Sequence, residues 1–473
     1  MENFQLEPGS FRDRTSRVFY VSGNIYRGLS RQAADDWEAL SASRFFRQYM
    51  SEGRIVRTEH VEAPDGLDKT QVGSWAAFLK HQAIPFISYP YEWPFGMLKD
   101  AAMLQLDLLL AALDENLTLK DASAFNFQWV GSRPVFIDIP SFERLKPGET
   151  WAGYRQFCQL FLYPLMLQAY KDIPFQPWLR GCVDGIEPEH CRNLMSAGDL
   201  LRPGVLVDVY LHAKAHASYA NTGRDVKSEI RAAGFNKELI VANVTRLKKV
   251  VAGLRWKRDK TEWSDYANIH SYTDRDHERK AEFVRKVAQS RPWRLVWDLG
   301  CNVGSFSKIA AENADTVVSI DSDSLSIERL YQELKAKNDT KILPLIGNVA
   351  DPSPDLGWRG LERRSLFKRG TPDLILCLAL IHHVVISANV PLNEFINWLA
   401  GLGGDLVIEF VTRQDPMVQT LLRNKADRYA DYDREFFEQC LRQAFDVAQQ
   451  EMLESGTRVL YYARVRGERA ERG

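Results

Sequence analysis

The sequence of 473 residues is poor in cysteine, and its six cysteines include no C-x-x-C pair. This scatter argues against a zinc site and against a disulfide framework. A strong net charge is also missing, because 61 lysines and arginines are balanced by 62 aspartates and glutamates. A nearly neutral chain offers no global field that would attract nucleic acid or an acidic membrane surface.

Long apolar runs are absent as well. The most apolar segments, 103–113 and 157–170, contain Gln or Asp and are too short to span a bilayer. The polar start Met1–Gln5 lacks the apolar core of a signal peptide. These absences predict a cytoplasmic protein with no metal and no membrane partner, and they leave the oligomeric state open. The length predicts two or three domains.

From about Trp293 the chain alternates between strand-like and helix-like segments. The strand-like runs are almost continuous Val, Ile and Leu, which indicates strands buried on both faces of a parallel sheet. We predict strands at Arg294–Asp298, Thr316–Asp321, Ile342–Ile346, Asp373–Leu380 and Asp405–Phe410, and helices at Ser305–Asn313, Leu325–Lys337, Leu392–Leu402, Val418–Lys425 and Glu435–Gln443. Two closing strand-like runs follow, and the last, Arg458–Ala463, can return antiparallel beside its partner.

The first predicted strand runs into a tight turn that contains two glycines. Asp298 ends the strand, Gly300 and Gly304 flank the turn, and Asp321 ends the next strand about twenty residues later. Glycines let the backbone approach a ligand closely, and an acid at the second strand end can accept both hydroxyls of a ribose. The spacing lacks the third glycine of a dinucleotide site. It therefore favours S-adenosylmethionine (SAM) over NAD as the cofactor.

Other candidate cofactor residues lie in the turn or follow neighbouring strands. Asn302 occupies a position where many methyltransferases have glycine, and asparagine tolerates a left-handed backbone better than most residues. Asn348 and Val349 follow the third strand, where an adenine ring would lie, and Leu378 lies near the end of the fourth. The ordered set resembles the class I SAM-dependent methyltransferases, whose parallel sheet habitually ends in an antiparallel hairpin. A turn-and-cap sequence of another α/β protein is the alternative.

Side chains at the ends of the fourth and fifth strands are the candidates for catalysis. Open parallel sheets bind ligands beyond the carboxyl ends of their strands, where His382, His383 and Glu409 lie. Methyl transfer to a hydroxyl or ammonium needs a base, and histidine titrates near neutral pH. A histidine that only caps its strand and a Glu409 that only satisfies a loop amide are the alternatives. Trp263–Tyr266 and Tyr272 stand where such enzymes often carry a lid, or they pack as ordinary aromatics.

Several distinctive blocks resemble the rhizobial NoeA nodulation family. They are Phe86–Pro94, Gly357–Ser365, Leu378–His383 and Ile408–Val418. The resemblance extends through most of the chain. It implies a role in host-specific nodulation and methyl transfer to a small-molecule or carbohydrate-type acceptor, and it supplies neither a defined substrate nor catalytic residues.

The N-terminal part contains a second pattern. Asp121, Asn126 and Asp138 reproduce the Asp-x-x-x-x-Asn … Asp order of a kinase, in which they would be the base and two metal ligands. The block 86–94 before an apolar helix fits the hinge between kinase lobes. However, Ile-Pro follows Asp138 instead of Phe-Gly, no glycine-rich loop with a following strand lysine is evident, and 16–29 can form only a single hairpin. These departures favour a degenerate kinase-like or an unrelated substrate-recognition domain over phosphotransfer.

The sequence thus predicts an α/β protein in two main parts. Residues 1–220 form an α+β domain, and 221–262 a basic helical linker. Residues 263–465 form a doubly wound, mostly parallel Rossmann-like methyltransferase sheet with a closing antiparallel hairpin, and 466–473 a disordered tail. There are two functional alternatives. One is a bifunctional kinase-like methyltransferase, and the other is a module that binds SAM without transferring its methyl group and would need the same acids.

Overall fold

The computed structural model describes residues 4–64, 67, 75–214, 236–258, 274–423, 425 and 429–466. The chain divides into two compact units. The first unit comprises Met1–Trp129, Pro134–Lys257 and Asp355–Arg363, and the second comprises Val130–Arg133, Arg258–Pro354 and Arg364–Gly473. Each unit therefore includes a short segment from the other half of the sequence.

The first unit begins with a five-stranded antiparallel sheet. Its strands are β1 (Gln5–Leu6), β2 (Ser16–Val21), β3 (Asn24–Leu29), β4 (Thr58–Val61) and β5 (Ala77–His81), in the order β1-β2-β3-β5-β4. Ser22 and Gly23 both have positive φ, as a tight two-residue hairpin requires. The predicted hairpin thus forms at the centre of a larger sheet. Its other strands are short and pair over long sequence separations, so no local pattern revealed them.

Helices α1 (Arg31–Ala42) and α2 (Arg44–Ser51) connect β3 to β4. The Ser30 hydroxyl caps α1 by accepting a hydrogen bond from the Ala33 N–H. The predicted apolar helix is α3 (Phe95–Asp114). Four short strands follow it and form two separate pairs, β6 (Leu117–Leu119) with β9 (Phe142–Arg144), and β7 (Phe127–Val130) with β8 (Arg133–Phe136).

Helices predominate in the described residues from Tyr154 to Gly253. These helices are α4 (Tyr154–Phe157), α5 (Tyr163–Lys171), α6 (Gln176–Gly181), α7 (Pro188–Leu194) and α8 (Lys237–Gly253). Wider helical turns join α4 to α5 at Cys158–Leu162 and occur again at Val205–Leu211. Helix α8 lies within the range predicted as a linker, yet it buries Ile240, Val244, Leu247 and Val251 and packs against α3. Helix α8 is therefore part of the core of the first unit.

The second unit is built around a seven-stranded sheet. Its strands are β10 (Trp293–Leu299), β11 (Ala314–Asp321), β12 (Ile342–Ile346), β13 (Leu374–Cys377), β14 (Asp405–Val411), β15 (Phe445–Met452) and β16 (Arg458–Val465). Its helices are α9 (Asp274–Ala288), α10 (Ser305–Ala311), α11 (Ser324–Ala336), α12 (Leu392–Gly401), α13 (Pro416–Leu422) and α14 (Arg434–Ala444). The core packs around side chains of β10, β11, α9, α10 and α11.

The strand order β12-β11-β10-β13-β14-β16-β15 confirms the predicted Rossmann-like sheet. Neighbours among β10–β14 run parallel, and β16 runs antiparallel to both β14 and β15. This is the arrangement of the class I methyltransferases. The strand order reverses between β10 and β13, and such a reversal opens a crevice at the carboxyl ends of the strands. Within the described residues, no helix combines the length and apolarity that a membrane crossing requires.

The predicted fourth strand, Asp373–Leu380, is longer than the observed β13. Ala379 has φ 51°, so the chain leaves the extended conformation just after Cys377. A wide helical turn at His383–Ser387 follows. Both predicted histidines therefore lie outside the sheet. The predicted disordered tail, apart from Arg466, lies outside the described residues.

Candidate functional site

The turn after β10 depends on three residues with left-handed backbone. Gly300, Asn302 and Gly304 have φ of 75°, 51° and 73°. A Cβ atom on Gly304 would lie 2.7 Å from Leu330 Cδ1, and one on Gly300 would lie 3.2 Å from Leu380 Cδ1. The glycines thus combine positive φ with close packing. Asn302 has a left-handed backbone, which asparagine tolerates better than most residues other than glycine.

Asp321, at the end of β11, is joined to this turn. Its Oδ2 accepts a hydrogen bond of 2.8 Å from the Asn302 N–H, and its Oδ1 accepts one of 2.8 Å from the Asp323 N–H. Burial raises the pKa of Asp321, and the backbone hydrogen bonds from Asp323 and Asn302 oppose that rise. Each carboxylate oxygen keeps further acceptor capacity. Asp321 can therefore accept hydroxyl donors from a ligand.

A cavity of about 530 Å³ lies beyond the carboxyl ends of β10–β13. Its volume falls within the range of small-molecule and cofactor sites. Six of the predicted cofactor residues line it: Gly300, Asn302, Asp321, Asn348, Val349 and Leu378. Other lining residues come from α9, the start of α10 and the segment after β13: His277, Lys280, Ser305, Phe306, Ala379, Leu380, His383, Val384, Ser387 and Ala388. Polar and apolar groups meet there as an adenosine-bearing cofactor requires.

Asp298 and Gly304 do not line this cavity. Asp298 is 2% exposed, and its Oδ2 accepts a hydrogen bond of 2.5 Å from the Ser307 hydroxyl. The Ser319 hydroxyl donates in turn to Ser307 at 2.8 Å. Burial raises the pKa of Asp298 to about 7, and the nearby Asp321 charge adds to the rise while Ser307 opposes it. Asp298 thus joins β10, α10 and β11 beneath the turn and stays outside the lining of the cavity.

The two predicted histidines occupy different environments. His383 lines the cavity, whereas His382 is fully buried and does not. Among the described residues, neither ring nitrogen of His382 has a hydrogen-bond partner. Burial lowers the pKa of His383 to about 4, with a further contribution from Arg458, and it lowers the pKa of His382 well below the usual range. At neutral pH both rings are uncharged, and a neutral imidazole can accept a proton.

Glu409 lies in a fully buried network of charges. Its Oε2 is 2.7 Å from Lys280 Nζ, and its Oε1 is 3.2 Å from the Arg458 guanidinium. Arg458 also contacts Asp415 Oδ2 at 2.9 Å. Burial alone would raise the pKa of Glu409, but the two cations hold it below the usual value. Glu409 does not line the cavity, and its carboxylate is occupied by structural partners.

Comparison of the whole sequence with known proteins gives a close relative. The chain is 34% identical over 456 residues to the nodulation protein NoeA of Rhizobium meliloti (strain 1021), which covers 96% of this chain and 94% of the relative. The chain belongs to the NoeA family. This membership confirms the resemblance inferred from the sequence blocks. No protein-family model matches the chain.

Solved structures similar to this NoeA-family chain include methyltransferases. The N-methyltransferase NodS from Bradyrhizobium japonicum WM9 is 14% identical with a TM-score of 0.29, covering 41% of this chain and 97% of NodS. A SAM-dependent methyltransferase from Aquifex aeolicus is 17% identical with a TM-score of 0.31, covering 44% of this chain and all of that one. Because these scores are low, the fold assignment rests on the strand order.

Two cavity residues of the NoeA-family chain with ionisable side chains come from a helix in which no site candidates were predicted from the sequence. His277 and Lys280 lie on α9, and their side chains approach Phe306, with ring centroids 5.6 Å apart for His277 and Lys280 Nζ 5.7 Å from the ring centre. The sequence does contain a pattern that indicates them. Asp276 and Lys280 continue the helical spacing of the buried Phe283, Val284 and Val287, so they fall on the buried face of the helix. A charged residue at a core position of a helix indicates a partner. The predicted lid, Trp263–Tyr266 with Tyr272, lies outside the described residues.

Proposed function

We propose that this chain is a SAM-dependent methyltransferase that acts on a small-molecule or carbohydrate-type acceptor. The observation that carries this proposal is the position of Asp321 in the cavity, between the glycine turn and Asn348–Val349. A ribose would donate its two hydroxyls to Asp321, and an adenine ring would lie beside Asn348 and Val349. The residues present fit the cofactor, since the site is large enough and its single carboxylate retains acceptor capacity.

SAM supplies a methyl group on a sulfonium, which an acceptor nucleophile attacks in line. The chain must position the acceptor and, for a hydroxyl or ammonium, remove its proton. His383 is the candidate base because it lines the cavity in neutral form. This proposal gives His382 and Glu409 no direct role in the reaction, since both are fully buried and neither lines the cavity.

The proposed biological role is in host-specific nodulation. We place the protein itself in the cytoplasm. Support comes from the family, whose relative in Rhizobium meliloti is a nodulation protein. An acceptor of the carbohydrate type suits that role, and the near-neutral charge of the chain gives little support to a nucleic-acid acceptor. Incubation of the protein with methyl-labelled SAM and a small-molecule extract, followed by mass spectrometry, would identify the labelled product.

The first prediction concerns cofactor binding. Asp321→Asn should weaken SAM binding by about 10-fold to 100-fold, because hydrogen bonds from the ribose to a charged acceptor are lost. Isothermal titration calorimetry measures the affinity. Asp315→Asn is the matched control, since Asp315 is exposed on the same strand. Equal SAM affinity in the wild type and Asp321→Asn would remove the assignment of the site.

The second prediction concerns the transfer step. His383→Ala should lower the release of S-adenosylhomocysteine by about 100-fold or more while changing SAM affinity only slightly, because a positioned base contributes to rate. His382→Ala serves as a comparison, since it removes a neighbouring ring that lies outside the cavity. An unchanged rate in His383→Ala would contradict the base assignment. SAM binding without any acceptor-dependent release of S-adenosylhomocysteine would favour the non-catalytic SAM module.

A further inference from the structure

The first unit presents its elements in the order of a protein kinase. A five-stranded antiparallel sheet has a helical segment between its third and fourth strands, and β5 is followed by the hinge-like segment and the long helix α3. Next come β6, the loop 120–126, the β7–β8 pair, Asp138, and β9 returning to pair with β6. The sequence pattern alone supported only a hairpin and two motifs. The structure places those motifs at the positions where a kinase carries its catalytic loop and metal-binding acid.

A polar cluster joins the third strand to these motifs. Arg27, on β3, lies on the strand that carries the phosphate-binding cation in kinases. Its guanidinium is 3.1 Å from Asp138 Oδ1 and donates to the Ser16 hydroxyl at 3.1 Å. Only 11% of the Arg27 side chain is exposed, and its buried Nε has no hydrogen-bond partner among the described residues. A cation with spare donor capacity is thus held beside Asp138.

The side-chain amide of Asn126 joins the same cluster through Ser141. Asn126 Nδ2 donates to the Ser141 hydroxyl at 3.4 Å, and Ser141 donates to Asp138 Oδ2. The backbone of the loop 120–126 is held in place by Gln105, whose Nε2 donates a hydrogen bond to the Asp121 carbonyl at 3.2 Å. Burial raises the pKa of Asp121, a hydrogen bond with the Gln156 side chain opposes that rise, and the negative charge of Asp138 adds to it.

We propose that the first unit binds a magnesium–nucleoside triphosphate and transfers the terminal phosphoryl group to a hydroxyl acceptor, an activity separate from methyl transfer. The acceptor oxygen forms a bond to the γ-phosphorus as the bond to the β–γ bridging oxygen breaks. The hydroxyl proton passes to Asp121, and the nucleoside diphosphate leaves with the bridging oxygen. Asn126 and Asp138 are the metal ligands, and Arg27 binds phosphate oxygens.

The residue types fit this chemistry. The described residues contain no group of three His, Cys, Asp or Glu side chains able to hold a metal. Magnesium, however, is usually bound by one or two carboxylates together with phosphate oxygens and water. Arginine in place of the strand lysine keeps the charge and can contact phosphate through two N–H groups. The loop between β1 and β2 contains only one glycine, Gly9, so fewer backbone contacts to the phosphates are available than in a glycine-rich loop.

The test uses the full-length chain with ATP as the probe. Isothermal titration calorimetry with ATP up to millimolar concentration, with and without MgCl₂, measures binding. A coupled assay measures ADP release with water as the default acceptor. We expect magnesium-dependent binding that Asp138→Asn weakens by about tenfold or more, because a charged ligand is lost. Asp121→Asn should keep the ATP affinity and lower ADP release by about 100-fold.

Asp107→Asn is the matched control. It also removes a carboxylate paired with two cations of this unit, Arg54 and Lys248, and it lies outside the cluster. Circular dichroism and melting temperature check that each variant is folded, and Asp121→Asn leaves the Arg27–Asp138 pair in place. No magnesium-dependent ATP binding, or binding unaffected by Asp138→Asn, would overturn the site. Equal ADP release in the wild type and Asp121→Asn would overturn the transfer step.

Discussion

At the scale of single residues, two aspartates at neighbouring strand ends have different environments. Asp321 lines the cavity and accepts hydrogen bonds from two backbone N–H groups, whereas Asp298 is buried and accepts hydrogen bonds from the hydroxyl and the backbone of Ser307. Backbone donors stabilise a carboxylate, and burial destabilises it. The strand end at the cavity thus keeps an accessible acid. The end of β10, beneath the turn, instead holds Asp298, whose pKa is about 7.

The raised pKa of Asp298 predicts a pH-dependent loss of stability. In the unfolded chain Asp298 ionises near the ordinary aspartate pKa of 3.8, whereas in the folded chain it ionises near 7. Its contribution is therefore least unfavourable below pH 4 and becomes more unfavourable as the pH rises to about 7. Between pH 5 and pH 8 the wild type should lose on the order of 2 to 3 kcal/mol relative to Asp298→Asn.

Thermal unfolding of both proteins at several pH values measures this difference. The comparison with Asp298→Asn cancels the contributions of the other titrating groups. Ser319→Ala is a useful control, since it removes a hydroxyl one step further from the carboxylate and leaves the ionisable group in place. Parallel stability curves for the wild type and Asp298→Asn would contradict the raised pKa.

At the scale of elements, the buried charges connect α9, β14 and β16. Lys280 comes from α9, Glu409 from β14 and Arg458 from the start of β16, and all three side chains are fully buried. Lys280 also lines the cavity, so the network positions a cavity residue. A buried charge network adds stability only while every member is paired.

Glu409→Gln should destabilise the second unit by about 3 to 5 kcal/mol, because Lys280 and Arg458 both lose the buried charge of the carboxylate that they contact. The double variant Lys280→Met/Glu409→Leu should cost less than Glu409→Gln alone, since Arg458 keeps Asp415 as a partner. Denaturant unfolding of the single and double variants measures this coupling. A double variant that is less stable than Glu409→Gln would show that the cost arises from packing and not from the unpaired charge.

The elements of the second unit were largely predictable from the sequence because their signals are local. The strand Ile342–Ile346 has the predicted bounds, and β10, β11 and β14 differ by only one or two residues at an end. The end of β13 was not predictable, since it depends on the left-handed Ala379. Strands such as Gln5–Leu6 are too short for a periodic signal.

The candidate site was predicted less completely than the fold. Residues that follow strands could be placed, because the carboxyl ends of parallel strands meet at one edge. Whether a side chain then faces the cavity or the interior depends on backbone rotation after the strand, which separates His383 from His382. His277 and Lys280 come from a helix that precedes the sheet, and only tertiary packing brings them to the cofactor turn.

At the scale of the whole molecule, two units carry two separate adenosine-type sites in our proposals. A ligand that binds only the folded form stabilises its unit by about 2.7 kcal/mol at 100 times its Kd. We expect S-adenosylhomocysteine to slow amide hydrogen exchange around β10–β12 and magnesium–ATP to slow it around β6–β9. Hydrogen-exchange mass spectrometry resolves the two regions within one sample.

Each ligand could also enter the other site through its adenosine part, and the variants separate these cases. Asp321→Asn should remove the protection by S-adenosylhomocysteine and leave that by magnesium–ATP, whereas Asp138→Asn should do the reverse. Asp315→Asn and Asp107→Asn should change neither. If ATP protects β10–β12 and Asp321→Asn removes that protection, ATP is binding in the methyltransferase cavity through its ribose. If, in addition, ATP does not slow exchange around β6–β9, the chain has one nucleoside site, which belongs to the second unit.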